Sequence, residues 1–452
     1  MEHSQQASGA RPTPPLVSGR WPVIGHAVDF ARDRERLLRR GYAEHGSVFA
    51  LDLAGKKIAV VTGAEHNRTV YTRTDHELNP SKPYEAVRNA LGEVLFLADR
   101  QTYLNQRPIT KAIFNRNRMP AYLEAMNAEV QRWLDGLPDG AERDITAEMV
   151  ELTQAVAGHA FIGPDFRDEL GPEFWEDYGA IAAAIDFLLP QWLPVSKFRR
   201  RDRAKARLKR TMSELIARRR AHRDRYEDLI TLMMETPQKD GTPMSETHMC
   251  EMLVGLLFAG HETTAGQAAW AIIALAKHPQ VLARARDEVE RHVPEDLEIT
   301  PAILRQLEYT YRVVDETTRL FPSADMQART VDAEIDLGPY RVPVGWQIFV
   351  NAANSHHLAS DFADADVFDP SRFERGEGKN PWQIVGFGGG GHKCSGMNFA
   401  RNEIAIILAR VLAQFEAELL TPETRVLHGL GANRPTPTRM RLTRRAARPR
   451  AA

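Results

Sequence analysis

The segment 387–396 reads FGGGGHKCSG. It fits F-G-x-G-x-H-x-C-x-G at every fixed position, a match expected by chance on the order of 10⁻⁶ in one chain of average composition. Glycines let a loop pass close to a flat cofactor. Cys394 stands immediately before a helical pattern, SGMNFARNE. Free N–H groups at a helix start favour a thiolate, and backbone donors near the sulfur tune its electron donation. A lone cysteine in a glycine loop reads as inert; this spacing argues against that reading.

A second segment, AGHETTAG at 259–266, ends the apolar run MLVGLLFAG. It places an acid, Glu262, beside an alcohol, Thr263. Adjacent residues on a regular helix point about 100° apart. Acting on one ligand therefore requires a local distortion, which Gly260 and hydroxyl competition for backbone carbonyls would permit. A buried acid in such a run is costly without partners or work. A plain helix-end cap is the equal alternative on these residues alone. A third segment, ETTR at 316–319, puts Glu316 and Arg319 on one helix face. Such a pair on a surface contributes only ~0–1 kcal/mol.

Taken together, these motifs resemble the cytochrome P-450 family, and the likeness covers nearly the whole ordered chain. The resemblance implies a mainly α fold with a minor β part, haem lying between the long central helix and the Cys-loop helix. It implies that Cys394 is the axial thiolate of haem b. His392 would hydrogen-bond a propionate, Lys393 would lie on the proximal side, and Phe387 would pack near the sulfur. Arg107 in YLNQRPITKAIF and Arg329 in MQARTVD match the family's propionate arginines. Tyr103 stands where that helix usually carries Trp or His, and tyrosine can still donate a hydrogen bond. Glu262 and Thr263 match the acid–alcohol pair that delivers protons during oxygen activation. Thr264 fits the motif without an assigned role. Glu316, Arg319 and Arg372, the last from DPSRF, match a buried structural lock.

Within the family, LAGKKIAVVTG, LPVSKFRRRDRAKARL and SHHLASDFADADVFDPSRF are similar to the sterol 14α-demethylase branch. Two departures stand out. That branch usually has His at the Glu262 position, and its Tyr-containing first substrate segment is altered here in PYEAVRNALGEVLFLAD. The expected activity is monooxygenation of a large lipophilic substrate: a terpenoid, steroid, polyketide or macrocycle. Sterol 14α-demethylation is the runner-up, and a non-catalytic haem sensor or carrier is the alternative of another class. Expected pocket residues are Tyr84, Val87, Leu91, Leu256, Phe258, Ala324, Asp325, Met326, Leu430 and Gly431. Asp325 would pair with a cationic substrate group or with a neighbouring arginine, the second being favoured.

The elements that must carry these residues read as follows. The segment 48–63 looks like two strands around Gly55. From about 101 to 320 the apolar spacing is near 3.6, so helices are expected. Short strands are expected within 328–352, then the cysteine loop and its helix. Residues 1–20 read as a disordered leader, 21–438 as a single domain, and 439–452 as a frayed basic tail holding six arginines. The apolar loop and basic run at 184–201 reads equally as a lid that touches lipid transiently or as a helix connection.

Composition bounds the rest. The 452 residues are 43% hydrophobic and 26% charged, with a formal net charge of −1, which excludes a disordered or collagen-like chain and disfavours nucleic-acid binding. Two cysteines exclude a disulfide scaffold, a four-cysteine zinc site and an iron–sulfur cluster, and fit a reducing cytoplasm. No run of ~18 apolar residues is present to span a membrane. No flavin or ferredoxin domain is encoded. Electrons from NAD(P)H must then reach haem and O2 through external partners, a ferredoxin or flavodoxin with its reductase, docking on a monomer near Cys394.

Overall fold

The computed structural model describes residues 11–446 apart from 96–97, 172, 187–188, 190–191, 295–297 and 430–431. Its longest element is a 32-residue central helix, Glu246–Lys277. Ser245 caps that helix by accepting from the His248 N–H at 3.2 Å. The helix is apolar around most of its circumference and is buried accordingly, as expected of a core helix. It packs on the helices Ile145–Ile162, Ser196–Ala221 and Glu308–Leu320, and on the cysteine helix Met397–Gln414. Their apolar faces form one large core.

A five-stranded sheet flanks the helices. Its order is Val48–Leu53, Lys56–Val61, Gln347–Asn351, Met326–Val331, Leu78–Asn79. All pairs are antiparallel except Lys56–Val61 with Gln347–Asn351. The two strands around Gly55 and the strands within 328–352 are where alternation and turn residues put them. The mainly helical fold class is as expected.

Two expectations are corrected. Residues 11–20 are not a disordered leader. The sheet's outer strand needs partners at Ala50, and Pro15 O and the Val17 N–H supply them at 2.7 and 3.1 Å. Val17 is buried there. Nor is the basic tail frayed as far as it is described. Arg439–Arg444 is the middle strand of a three-stranded sheet, between Ala141–Asp144 and Phe415–Leu419. Its period-2 pattern buries Met440 and Leu442. The alternate residues Arg439 and Arg441 face Glu142, and Arg441 also meets Glu418 at 2.5 Å. Composition alone hid that alternation. No helix among the described residues is long and apolar enough to cross a membrane.

Candidate active site

The cysteine loop is set by its own backbone and by two aromatic side chains. The Cys394 N–H donates to Phe387 O at 2.9 Å, closing the loop. Gly390 has φ +64°, and a Cβ there would come within 2.6 Å of Tyr71 O. A Cβ on Gly389 would come within 2.8 Å of both Tyr71 and Trp382. These two glycines are therefore required by the protein wall behind the loop. Burial pushes the Cys394 thiol up, while the Gly396 N–H and the Lys393 ammonium oppose that shift. The cysteine is nonetheless accessible, so it faces a space enclosed by protein.

The central helix has an accessible stretch of its own. It is buried on either side of one stretch, within which Leu256, Ala259, Gly260, Glu262 and Thr263 are accessible to different degrees, Leu256, Ala259, Gly260 and Thr263 forming a stripe. Their spacing of i, i+3, i+4 and i+7 puts them on one face. The helix is unbroken here, which differs from the expected distortion. Thr263 Oγ1 donates to Ala259 O at 3.0 Å, an i−4 back-bond that a regular helix tolerates. Glu262 lies round the helix from this stripe, with Oε1 3.8 Å from His261 Nε2.

His261 is a feature the sequence reading passed over. It is fully buried, and its Nδ1 lies 2.8 Å from Leu257 O, so Nδ1–H donates and Nε2 is the bare nitrogen. No partner reaches that Nε2 among the described residues. Burial holds the imidazole below its ordinary pKa, against the pull of Leu257 O and Glu262. The Tyr178 and Trp175 rings meet His261 edge-on, at 4.9 and 5.6 Å between centroids. Tyr178 Oη is also buried without a partner, and burial, then Glu262, raises its pKa well above the usual phenol value.

The expected propionate residues converge beside the loop. Tyr103 stacks on His392 at 4.2 Å and donates to Gly391 O at 2.6 Å. It thus grips the loop instead of pointing at a carboxylate. His392 Nε2 is 2.8 Å from Asp75 Oδ2, so that nitrogen is already engaged. Burial alone would raise the Asp75 pKa, but His392, Arg100 and Arg329 hold it below the carboxylate norm. Arg329 is buried, donates to Thr74 Oγ1 at 3.1 Å and lies 5.8 Å from the Tyr71 ring centre. Arg107 is exposed, and among the described residues no carboxylate pairs with it.

The lock residues assemble completely. Glu316, Arg319 and Arg372 are each 0% exposed. Glu316 accepts from Arg319 Nε and Nη2 at 2.8 Å and from Arg372 Nε at 2.9 Å. Arg372 Nη1 reaches Glu377 at 2.7 Å. His356, unremarked in the sequence, ties this cluster to the cysteine loop. Its Nδ1 lies 2.9 Å from Arg319 O, and its Nε2 accepts from the Val385 N–H at 2.9 Å. Burial lowers its pKa to about 3, so it is neutral.

The expected pocket residues divide. Leu256 lies on the accessible stripe, and Ala324 and Met326 are half-buried. Tyr84 Oη accepts from the Ala328 N–H at 2.9 Å, two residues beyond Met326. Val87, Leu91 and Phe258 are instead buried in the apolar core. Asp325 pairs with Arg34 at 2.7 Å, the favoured outcome. Leu430 and Gly431 lie outside the described residues, as does part of the 184–201 segment. Within that segment Trp192 is 79% exposed.

The haem implied by the motif fits this arrangement. Among the described residues no group of three or more His, Cys, Asp or Glu side chains could hold an ion unaided. The donor at the loop is one accessible thiol, which suits a metal carried in its own macrocycle. Cationic and hydrogen-bonding side chains beside the loop suit that macrocycle's carboxylates.

Comparison with known proteins agrees. The Cytochrome P450 family profile matches residues 14–437. A sterol 14α-demethylase of Mycolicibacterium vanbaalenii is 29% identical over 418 residues, covering 90% of this chain and 92% of its own. A lanosterol 14-alpha demethylase of Mus musculus is 27% identical over 426 residues, covering 92% and 85%. A solved structure described as retinoic acid bound cyanobacterial CYP120A1 superposes with a TM-score of 0.86 at 25% identity, covering 96% of this chain and 100% of that one. Matched across more than nine-tenths of its length, the chain belongs to the cytochrome P450 family and is a monooxygenase of that family.

Proposed function

We propose that this chain inserts one oxygen atom of O2 into a large lipophilic substrate of the terpenoid, steroid, polyketide or macrocycle type. One observation carries the reading. The face of the central helix formed by Leu256, Ala259, Gly260 and Thr263 carries one polar group, the Thr263 hydroxyl, and the partly accessible Glu262 carboxylate stands beside it. A surface of Leu256, Ala259 and Gly260 receives hydrocarbon, and one hydroxyl suffices to handle a proton. Haem bound through the Cys394 thiolate supplies dioxygen activation, since thiolate ligation favours O–O cleavage.

The chain's own residues then have these roles. The Gly396 N–H moderates the charge on the Cys394 sulfur, and Phe387 closes the loop behind it. Arg107 and Arg329 bind carboxylates, with Tyr103 and Asp75 keeping the His392 ring in place beside them. Thr263 holds a proton on Oγ1 and releases its bond to Ala259 O to present it. Glu262 replenishes that proton. Leu256, Ala324, Met326 and Tyr84 wall the substrate, and Val87, Leu91 and Phe258 support them from behind. Electrons come from a separate ferredoxin or flavodoxin with its reductase.

The similarity to proteins named sterol and lanosterol 14α-demethylase favours a second reading, demethylation of a sterol. An optical titration separates the two. The protein is purified with haem and its CO spectrum is checked for thiolate ligation. A 14α-methyl sterol, a retinoid and a macrolide are then titrated separately while the Soret band is followed. The expected result is a saturable shift with at least one lipophilic ligand. A shift with the sterol, followed by loss of its methyl group on turnover, favours the second reading. An intact CO spectrum with no shift from any of the three would refute the substrate class. Tight binding without turnover would return the carrier reading.

A further inference from the structure

The cysteine motif assigns His392 to a haem propionate, yet a side chain of this protein already engages it. Asp75 Oδ2 lies 2.8 Å from His392 Nε2, and both side chains are largely buried. The other carboxylate oxygen, Oδ1, is buried without a partner, so His392 is the one group bonded to this carboxylate among the described residues. Asp75 follows the helix Ala64–Arg73 and has φ +71°, in the left-handed region that few residues besides glycine, asparagine and aspartate adopt readily. Its N–H donates to Leu78 O at 2.9 Å, which fixes that turn. An unusual backbone conformation held this way, with its side chain on the cysteine loop, points to a role there.

A carboxylate only accepts, so His392 Nε2 carries the proton. The neutral ring then has no second N–H to offer another carboxylate. Burial raises the Asp75 pKa, but His392, Arg100 and Arg329 outweigh that and keep the group ionised. Arg107 acts on Tyr103 together with Asp75. The group thus brings three positive charges, on Arg100, Arg107 and Arg329, and one negative charge, on Asp75. Haem b adds two carboxylates, so three positive charges meet three negative ones. Without the charge of Asp75 one positive charge is left over beside the haem. Positive charge favours the form that has gained an electron.

We propose that Asp75 is a positioning residue for the haem: its carboxylate keeps His392 off the haem carboxylates, leaves these to the arginines, and lowers the potential at which the haem accepts an electron. This rests on the haem assignment and not on the substrate reading.

The test is a reductive titration of the substrate-free holoprotein with mediator dyes, read on protein whose CO spectrum shows thiolate ligation. Asp75→Asn still accepts from Nε2–H but carries no charge. At the wild-type midpoint it should hold about ten times more ferrous than ferric haem, a shift of about 59 mV for one electron. An unmoved midpoint overturns the proposal. Asp75→Glu keeps the charge and should keep the midpoint. A rise equal to that of Asp75→Asn would make the effect one of packing, which also overturns the proposal. Resonance Raman spectra of the haem carboxylate-bending bands test the position of His392. His392→Phe keeps a ring to stack on Tyr103 and should leave these bands unchanged. A change would mean that His392 bonds a haem carboxylate, against the proposal. Wild-type protein without the thiolate CO band fails the haem assignment and the proposal with it, whereas a normal band with an unmoved midpoint fails the proposal alone.

Discussion

Two buried polar clusters in this molecule are built on opposite terms. Around Glu316 every charged group is answered: Arg319, Arg372, Glu377 and His356 all have hydrogen-bond partners, carboxylate or backbone. Around Glu262 the accounts stay open, with His261 Nε2 and Tyr178 Oη both buried and unpartnered. A saturated cluster resists change and holds the frame. An unsaturated one keeps donors and acceptors available, at a cost in stability, for a proton or a ligand. On the proposed function, the first serves folding and the second chemistry.

The largest effect should come from breaking the saturated cluster. Glu316→Ala leaves two buried guanidinium groups without their shared carboxylate, which should cost ~3–5 kcal/mol. Denaturant midpoint and haem content should fall together. A stable, haem-loaded variant would mean the cluster does not hold the frame.

A pH titration tests the same cluster through His356. Its folded pKa of about 3 lies below the unfolded value, so the unfolded chain binds the extra proton between the two. Its stabilising effect is complete above pH ~6.5 and falls by about 1.4 kcal/mol per pH unit as pH drops toward 3. Burial depresses His261 and His66 as well, which adds in the same direction. Urea unfolding at pH 7, 6 and 5 should show this decline, and His356→Gln should flatten it. An unchanged slope in that variant would dissociate His356 from the effect.

Breaking the open cluster should spare the fold. Thr263→Ala should keep the unfolding midpoint while product per NAD(P)H falls on the order of tenfold. That is less than the ~10²–10⁴ of positioned proton transfer, because water can stand in for the hydroxyl. Undiminished coupling would dismiss the assigned role. The smallest effect is expected at Tyr103→Phe, which removes the bond to Gly391 O and should cost about 1 kcal/mol, read by thermal melting of the holoprotein. A change several times larger would make Tyr103 part of the frame.

The sequence made legible whatever is local or repeats a known spacing: the loop around Cys394, the Glu316–Arg319 pair and the central helix. It also gave Arg372 through its short motif. It did not reveal His356, whose two partners lie 37 and 29 residues away. Nor could it find Arg34, 291 residues from Asp325. Such pairings are made by packing and leave no periodic trace. Gly389 and Gly390 have a second reason to be glycine that the motif did not show, since Tyr71 and Trp382 leave no room for a Cβ at either.

The strand Arg439–Arg444 has a practical bearing on how electrons can be brought to this protein. It fills the centre of its sheet, and losing it would strip hydrogen bonds from both flanking strands at once. A reductase joined covalently behind the oxygenase must therefore start its linker beyond this strand. Trimming back to the end of Phe415–Leu419 would leave two raw edges prone to pairing with other chains. The strand Arg439–Arg444 thus sets how far back a self-sufficient fusion can be trimmed.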